Sequence, residues 1–182
     1  MEQASAKKTE SAPEPVDPPL SRFGVRQAFD LIDLLSSFGV ARAFASPAAR
    51  SRQSLTPWAS MGGGSVTLVE SLDLAASGPD AQVDAEARLG RVRAFAAERL
   101  REHAAPTVLS VTGSARDAII EEIRAYASAP VVGAEAPRLT RGQVLVAHVE
   151  HGPDGLVVAA LETHGVTTKN PAAHTRRGNK RH

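Results

Sequence analysis

Val40-Ala41-Arg42-Ala43-Phe44-Ala45-Ser46-Pro47-Ala48-Ala49-Arg50 is the stretch on which the fold turns. Residues 40–45 read as a short β-strand. Ser46 is a good helix N-cap and proline is favoured at the first helical position, so a helix opens at Ser46-Pro47. It closes near Gly62-Gly63-Gly64. A strand that runs straight into a helix is half of a parallel α/β unit. The junction lies at the carboxyl end of the strand, where open α/β sheets bind ligands.

Outward from this junction the alternation continues. Upstream, Val25, Ala28, Leu31, Ile32, Leu35 and Phe38 recur at helical spacing over residues 21–38. Ser21 can cap that helix and Gly39 can stop it. Downstream, residues 66–69 read as a strand, and residues 71–83, with Ser77-Gly78-Pro79, as a loop. Residues 84–104 form a helix with Leu89, Val92, Ala96 and Leu100 as its buried stripe. Residues 107–112 form a strand. Ser114 and Asp117 match a capping box at the start of a helix that reaches Tyr126, with Ile119, Ile120 and Ile123 on its apolar face. Residues 143–149 and 156–162 flank His151-Gly152-Pro153-Asp154-Gly155 and read as a hairpin. The predicted fold is α/β and three-layered: a mostly parallel sheet flanked by helices, closed by a C-terminal β-hairpin. There are no internal repeats.

Composition narrows the class. At 182 residues the chain fits one domain with tails and can bury a core without staples. Five Phe, one Tyr and one Trp leave Ala, Val and Leu to build that core. The absence of cysteine excludes disulfides, thiolate metal sites and a cysteine nucleophile, and it fits a reducing, cytoplasmic setting. No apolar run approaches the ~20 residues of a membrane span, and Lys7-Lys8 are followed by acids and prolines, unlike a signal peptide. A soluble protein with no membrane partner is expected. Residues 1–19, with Pro13, Pro15, Pro18 and Pro19, are expected to be a disordered segment, residues 20–165 the folded domain, and residues 166–182 a disordered tail. From Thr163 to His182 there are five bases (Lys169, Arg176, Arg177, Lys180, Arg181) and no acid, so a formal net charge of +1 leaves −4 for residues 1–162. Such a tail could touch nucleic acid, although it lacks interleaved aromatics; a solvated end is the simpler reading.

The junction also points to chemistry. A helix N-terminus presents free amides and positive potential. Arg50 sits in the first turn, where a cation works against the helix dipole, so an anion is expected beside it. Thr112-Gly113-Ser114-Ala115-Arg116 offers a second anion cradle at a strand–helix turn, or simply a capped helix. His148, His151 and His164 decorate the final hairpin. No third ligand has a convincing spacing, so no metal and no cofactor is expected.

Around the junction the residues form a longer pattern. Asp17-Pro18-Pro19-Leu20-Ser21-Arg22-Phe23-Gly24-Val25-Arg26-Gln27-Ala28 comes first, then Leu34-Leu35, Phe38-Gly39-Val40 and Ala45-Ser46-Pro47-Ala48-Ala49-Arg50-Ser51-Arg52-Gln53-Ser54. This resembles the histidine phosphatase (phosphoglycerate mutase-like) superfamily, whose members show Pro-Leu-(Ser/Thr)-x-x-Gly, a helix with Gln-Ala, then Ser-Pro-x-x-Arg-x-x-Gln-Thr. The flavour is closest to phosphohistidine phosphatase-like members and to the C-terminal phosphatase domain of two-domain Nudix hydrolases. The resemblance spans about residues 21–162.

The resemblance implies a phosphoryl transfer to a histidine in an Arg-His-Gly motif that ends a first strand. An arginine grips the phosphate, a carboxylate acts as general acid, and a second histidine ends a later strand. Imidazole is a good phosphoryl acceptor near neutral pH, and arginine matches phosphate geometry. Arg50 falls on the gripping arginine. At the nucleophile's place stands Gln3, after Glu2, and the strand that should precede them is missing. Gly113 stands at the second histidine. Glu70 or Asp73 is the candidate acid, with Ala76 a competing register.

The leading expectation is therefore a degenerate member, a pseudoenzyme that keeps part of a phosphate pocket built from Ser46, Arg50, Thr112, Gly113, Ser114 and Arg116. Its ligand would be a phosphorylated small molecule or a phosphoprotein. One alternative is an active phosphomonoesterase whose nucleophile-bearing strand lies upstream of Met1. Another is a non-enzymatic interaction protein working through its basic tail.

Overall fold

The structure, a computed structural model, describes residues 17–62, 64–74, 85–102, 105–132 and 139–165. Helix α1 (Arg22–Ser37) starts behind Ser21, whose hydroxyl accepts the Gly24 N–H at 3.1 Å. It ends where Gly39 takes φ +62°, a left-handed conformation that favours glycine. Of its apolar stripe, Ala28, Leu31 and Leu35 are buried, but Val25 is 43% exposed, so the stripe meets the core only after the first turn.

The chain continues through β1 (Arg42–Ala45), α2 (Ala49–Gly62), β2 (Val66–Leu68), a 3₁₀ turn (Glu70–Leu72), α3 (Ala85–Arg101), β3 (Thr107–Ser110) and α4 (Gly113–Ala125). A short α5 (Ala129–Val132), absent from the sequence pattern, then leads to the hairpin strands β4 (Gln143–Gly152) and β5 (Gly155–Gly165). The parallel strands run shorter than their apolar runs, and the hairpin strands run longer. Only Pro153 and Asp154 separate the hairpin strands, with Gly155 at φ +114°.

The parallel sheet has the order β2-β1-β3, with Ala43 opposite Val66 on one side and Val108 on the other. Alternation along β1 sorts its side chains to two layers. Ala43 and Ala45 face α1 and α2, in a cluster with Leu31, Leu35, Leu55 and Trp58. Phe44 faces α3 and α4, in a cluster with Leu72, Val92, Ala96, Ala115, Ala118 and Ile119. β3 is divided likewise, with Val108 toward the first cluster and Leu109 toward the second. Small Ala at 43 and 45 leaves room for the bulk of Trp58, which is 4% exposed.

The amino end of β1 is braced. Arg42 pairs with Glu102, which also binds Arg99 Nη2 at 2.9 Å. Both guanidinium groups lie over the Phe44 ring, at 5.3 and 5.4 Å, and Phe44 meets Phe95 edge-on at 5.4 Å. Cation–π and edge-to-face contacts of this kind tie a strand to a helix.

The hairpin is a separate two-stranded antiparallel sheet with a bulge between His148 and Val149. Val144 reaches the first cluster, and Val158 exchanges backbone bonds with Tyr126 and Ser128 at 2.8 and 3.0 Å. β3 is therefore covered on both faces, yet its outer edge pairs with no strand among the described residues. Among those residues no helix is long and apolar enough to cross a membrane.

Candidate functional site

Three strand ends converge at one edge of the parallel sheet. The Ser46 N–H donates to Ser110 O at 3.0 Å, and the Val69 N–H donates to Ala45 O at 2.9 Å. The residues after β1, β2 and β3 thus share the carboxyl edge, where the sequence pattern placed the site.

Ser46 does not cap α2 as its position predicted. The helix begins three residues later at Ala49, and Ser46 is 1% exposed with no hydrogen-bond partner for Oγ among the described residues. The cap comes from a distance: both oxygens of the Asp17 carboxylate accept the Ala49 N–H, at 2.9 and 3.0 Å. A carboxylate is well placed there because the helix N-terminus is electropositive. Asp17 thus lies in a tertiary contact, though residues 1–19 were read as one disordered segment. The neighbouring Leu20 N–H donates to Gln53 Oε1 at 2.7 Å.

Arg50 follows in the first turn, half-buried, and its guanidinium makes no ion pair with a described residue. Next to it Ser51 is 2% exposed, and its Oγ is also without a partner among the described residues. Its backbone carbonyl accepts the Ser110 hydroxyl at 2.9 Å, which locks α2 to the end of β3.

The second cradle is built differently from its sequence pattern. Helix α4 starts at Gly113, where φ is +52°, and Thr112 is the N-cap without a side-chain bond. Ser114 therefore lies inside the first turn, and the Ser114–Asp117 capping box does not form. Asp117 binds Arg116 instead, at 2.8 Å to Nε and 2.7 Å to Nη2, while Arg116 Nη1 donates to Leu139 O at 3.3 Å. Arg116 is thus committed to other partners. Thr112, Gly113 and Ser114 are exposed at the same edge of the sheet as Ser46 and Arg50.

Of the candidate acids, Glu70 is exposed at the start of the 3₁₀ turn, and Asp73 is half-buried with its N–H bound to Glu70 O at 3.0 Å. Gln3, Glu2, Ala76 and the tail from residue 166 lie outside the described residues. The histidines decorate the hairpin. His148 Nε2 lies 2.8 Å from Glu162 Oε1, and His164 Nε2 lies 3.2 Å from Glu162 Oε2. Hydrogen bonding, from His148 first, holds the Glu162 carboxyl below its ordinary value. His151 is bound elsewhere, to Leu100 O at 2.8 Å. Among the described residues no group of three or more His, Cys, Asp or Glu could hold a metal ion.

Sequence reasoning missed Asp17 as a cap, and Ser51 and Ser110 as site residues. Asp17 and Ala49 are 32 positions apart, and no local pattern signals such a bond.

The layered α/β fold has counterparts among solved structures. The chain is similar to the solved structure of Mycobacterial hydrolase 2, with a TM-score of 0.54 and 15% identity over 86% of this chain and 84% of that one. It is also similar to mycobacterial glucosyl-3-phosphoglycerate phosphatase solved with inorganic phosphate, with a TM-score of 0.47 and 19% identity over 60% of this chain and 70% of that one. No protein-family model matches the chain, and no curated protein matches it. At identities this low the likeness is one of fold. The expected α/β class, a parallel sheet flanked by helices with a C-terminal hairpin, is borne out.

Proposed function

We propose that this chain is a degenerate histidine phosphatase-type domain that binds a phosphorylated small molecule or a phosphoprotein at the carboxyl edge of its parallel sheet. The observation that carries this reading is Arg50. It is a half-buried cation without an ion-pair partner among the described residues, in the first turn of α2 beside two buried, unpartnered hydroxyls. A planar guanidinium next to helix amides suits the oxygens of a phosphate. Loss of the family's chemistry is supported at Gly113. The residue at the second histidine's place has φ +52°, a conformation that side-chain-bearing residues rarely adopt. The cysteine-free composition supports a cytoplasmic setting.

A second reading is favoured by the open edge of β3. In it, a strand from outside the described residues pairs with β3 and brings a nucleophile, and the domain is an active phosphomonoesterase.

One experiment separates the two. Phosphate release is measured from a panel of phosphomonoesters, phosphohistidine and nucleotides, for the wild-type chain and Arg50→Ala. The first reading expects no release from either protein, with inorganic phosphate raising the thermal midpoint of wild type alone. Release above background that Arg50→Ala removes would overturn it in favour of the second.

A further inference from the structure

The anion that α2 holds in this structure belongs to the chain itself. Asp17 stands in an exposed, proline-rich stretch and places both carboxylate oxygens on one amide, that of Ala49. Helix N-caps are ordinarily supplied by the residue just before the first turn. Here the hydroxyl of Ser46, the nearest hydroxyl residue before the helix, is buried and bonds no described residue.

That carboxylate satisfies one amide, and other polar groups of the same strand–helix junction stay open. On the same turn are Arg50, with no ion pair to a described residue, and the Ser51 hydroxyl, with no hydrogen-bond partner among the described residues. Buried hydroxyls without partners are costly, and native structures rarely retain them without a use. The carboxylate answers the helix amide, while the two hydroxyls and the guanidinium find no such partner among the described residues. A phosphate group would bring more acceptor oxygens to the same helix end than a carboxylate does.

We propose that the Asp17 carboxylate is an internal stand-in for the ligand's phosphate group: it occupies the α2 N-terminus in the free protein and must leave, or be repelled, when phosphate binds. This inference rests on the phosphate-binding reading above and adds an autoinhibitory contact to it. Affinity is set by competition between a tethered carboxylate and a free dianion for the same amide. Movement of residue 17 is thereby coupled to ligand binding, because the differential contact is made in only one of the two states.

The test measures the Kd of inorganic phosphate by isothermal titration at constant ionic strength, for wild type, Asp17→Asn, Asp154→Asn and Arg50→Ala. Asp17→Asn keeps an oxygen that can accept the Ala49 N–H, so the helix stays capped while the charge is removed. Asp154→Asn removes the same charge from the exposed hairpin turn. The expected result is at least about tenfold tighter phosphate binding for Asp17→Asn, the scale of removing one nearby charge near a protein surface. Asp154→Asn should match wild type, and Arg50→Ala should bind more weakly. Equal Kd values for wild type and Asp17→Asn would overturn the inference, leaving Asp17 a plain helix cap and the phosphate site intact. Equal gains in Asp17→Asn and Asp154→Asn would overturn it as well, because net charge would then explain the effect. Absence of phosphate binding in all four proteins would overturn the phosphate-binding reading itself, and the inference with it.

Discussion

The two ends of β1 are furnished in opposite ways. At its amino end Arg42 and Arg99 both pair with Glu102 over Phe44 and Phe95, and the buried Arg99 Nε alone of this group is without a hydrogen-bond partner among the described residues. At its carboxyl end, four residues away, Ser46 and Ser51 bury hydroxyls with no partner and Arg50 has no ion pair among the described residues, and the helix is capped from far along the chain. Both ends are polar, and composition alone would not tell them apart; what separates them is that, among the described residues, the amino-end cations are ion-paired and Arg50 is not. Polar groups that support a fold find partners within it, whereas groups left open at a strand–helix junction fit an outside partner.

That contrast can be broken by mutation, and the amino end should show the larger effect on stability. Phe44→Ala removes the ring shared by both guanidinium groups and by Phe95. It should cost about 3 kcal/mol, the low end of the range for a core phenylalanine because this ring is only half-buried. Urea unfolding measures it, and the phosphate response should survive. A loss below about 1 kcal/mol would mean that the brace is decorative.

Substitution at the carboxyl end should move stability the other way. Replacing a buried hydroxyl that bonds nothing removes a desolvation cost without losing a hydrogen bond. Ser46→Ala should therefore gain about 1 kcal/mol. The same change should weaken phosphate binding, an exchange of function for stability expected at a binding site. Ser46→Ala that destabilises the chain instead would show that Ser46 Oγ supports the fold, and the contrast between the two ends would fail.

The sequence reveals most of the frame and only part of the site. Element types follow from period: Leu31 and Leu35 on α1, Val92 and Ala96 on α3, and Ile119 and Ile120 on α4 are buried where spacing put them. Boundaries follow less well because caps depend on backbone geometry. At Gly113 the chain enters α4 one residue before Ser114, so a sound capping-box pattern is displaced into the helix. Arg50 could be singled out because a cation in a first turn is locally unfavourable. Asp17 could not, because its role exists only once β1 and α2 have folded beside it. Arg116 illustrates the converse. It looks like part of an anion cradle in the sequence, but the neighbouring Asp117 and the remote Leu139 carbonyl take up its donors.

The hairpin sharpens the comparison through a smaller effect. His148, Glu162 and His164 form a polar cluster beside Phe38, at ring distances of 6.5 and 5.3 Å from the two imidazoles, and the Glu162 carboxylate has partners there as Glu102 has at the amino end of β1. If pairing marks structural use, this cluster should affect stability and leave phosphate binding alone. The sign with pH follows from Glu162, whose carboxyl is held below the ordinary glutamate value of 4.5, chiefly by the His148 hydrogen bond. A carboxyl with a lowered folded-state pKa stabilises the fold above its unfolded pKa, and that contribution is lost as pH falls through the folded value. Wild type should therefore unfold at a higher urea midpoint than Glu162→Gln at pH 7, by a small margin because the group is exposed. The two midpoints should converge as the pH is lowered below about 4, beneath the ordinary glutamate range. Equal midpoints at pH 7, or a weakened phosphate response in Glu162→Gln, would place the hairpin cluster with the open carboxyl end and not with the paired one.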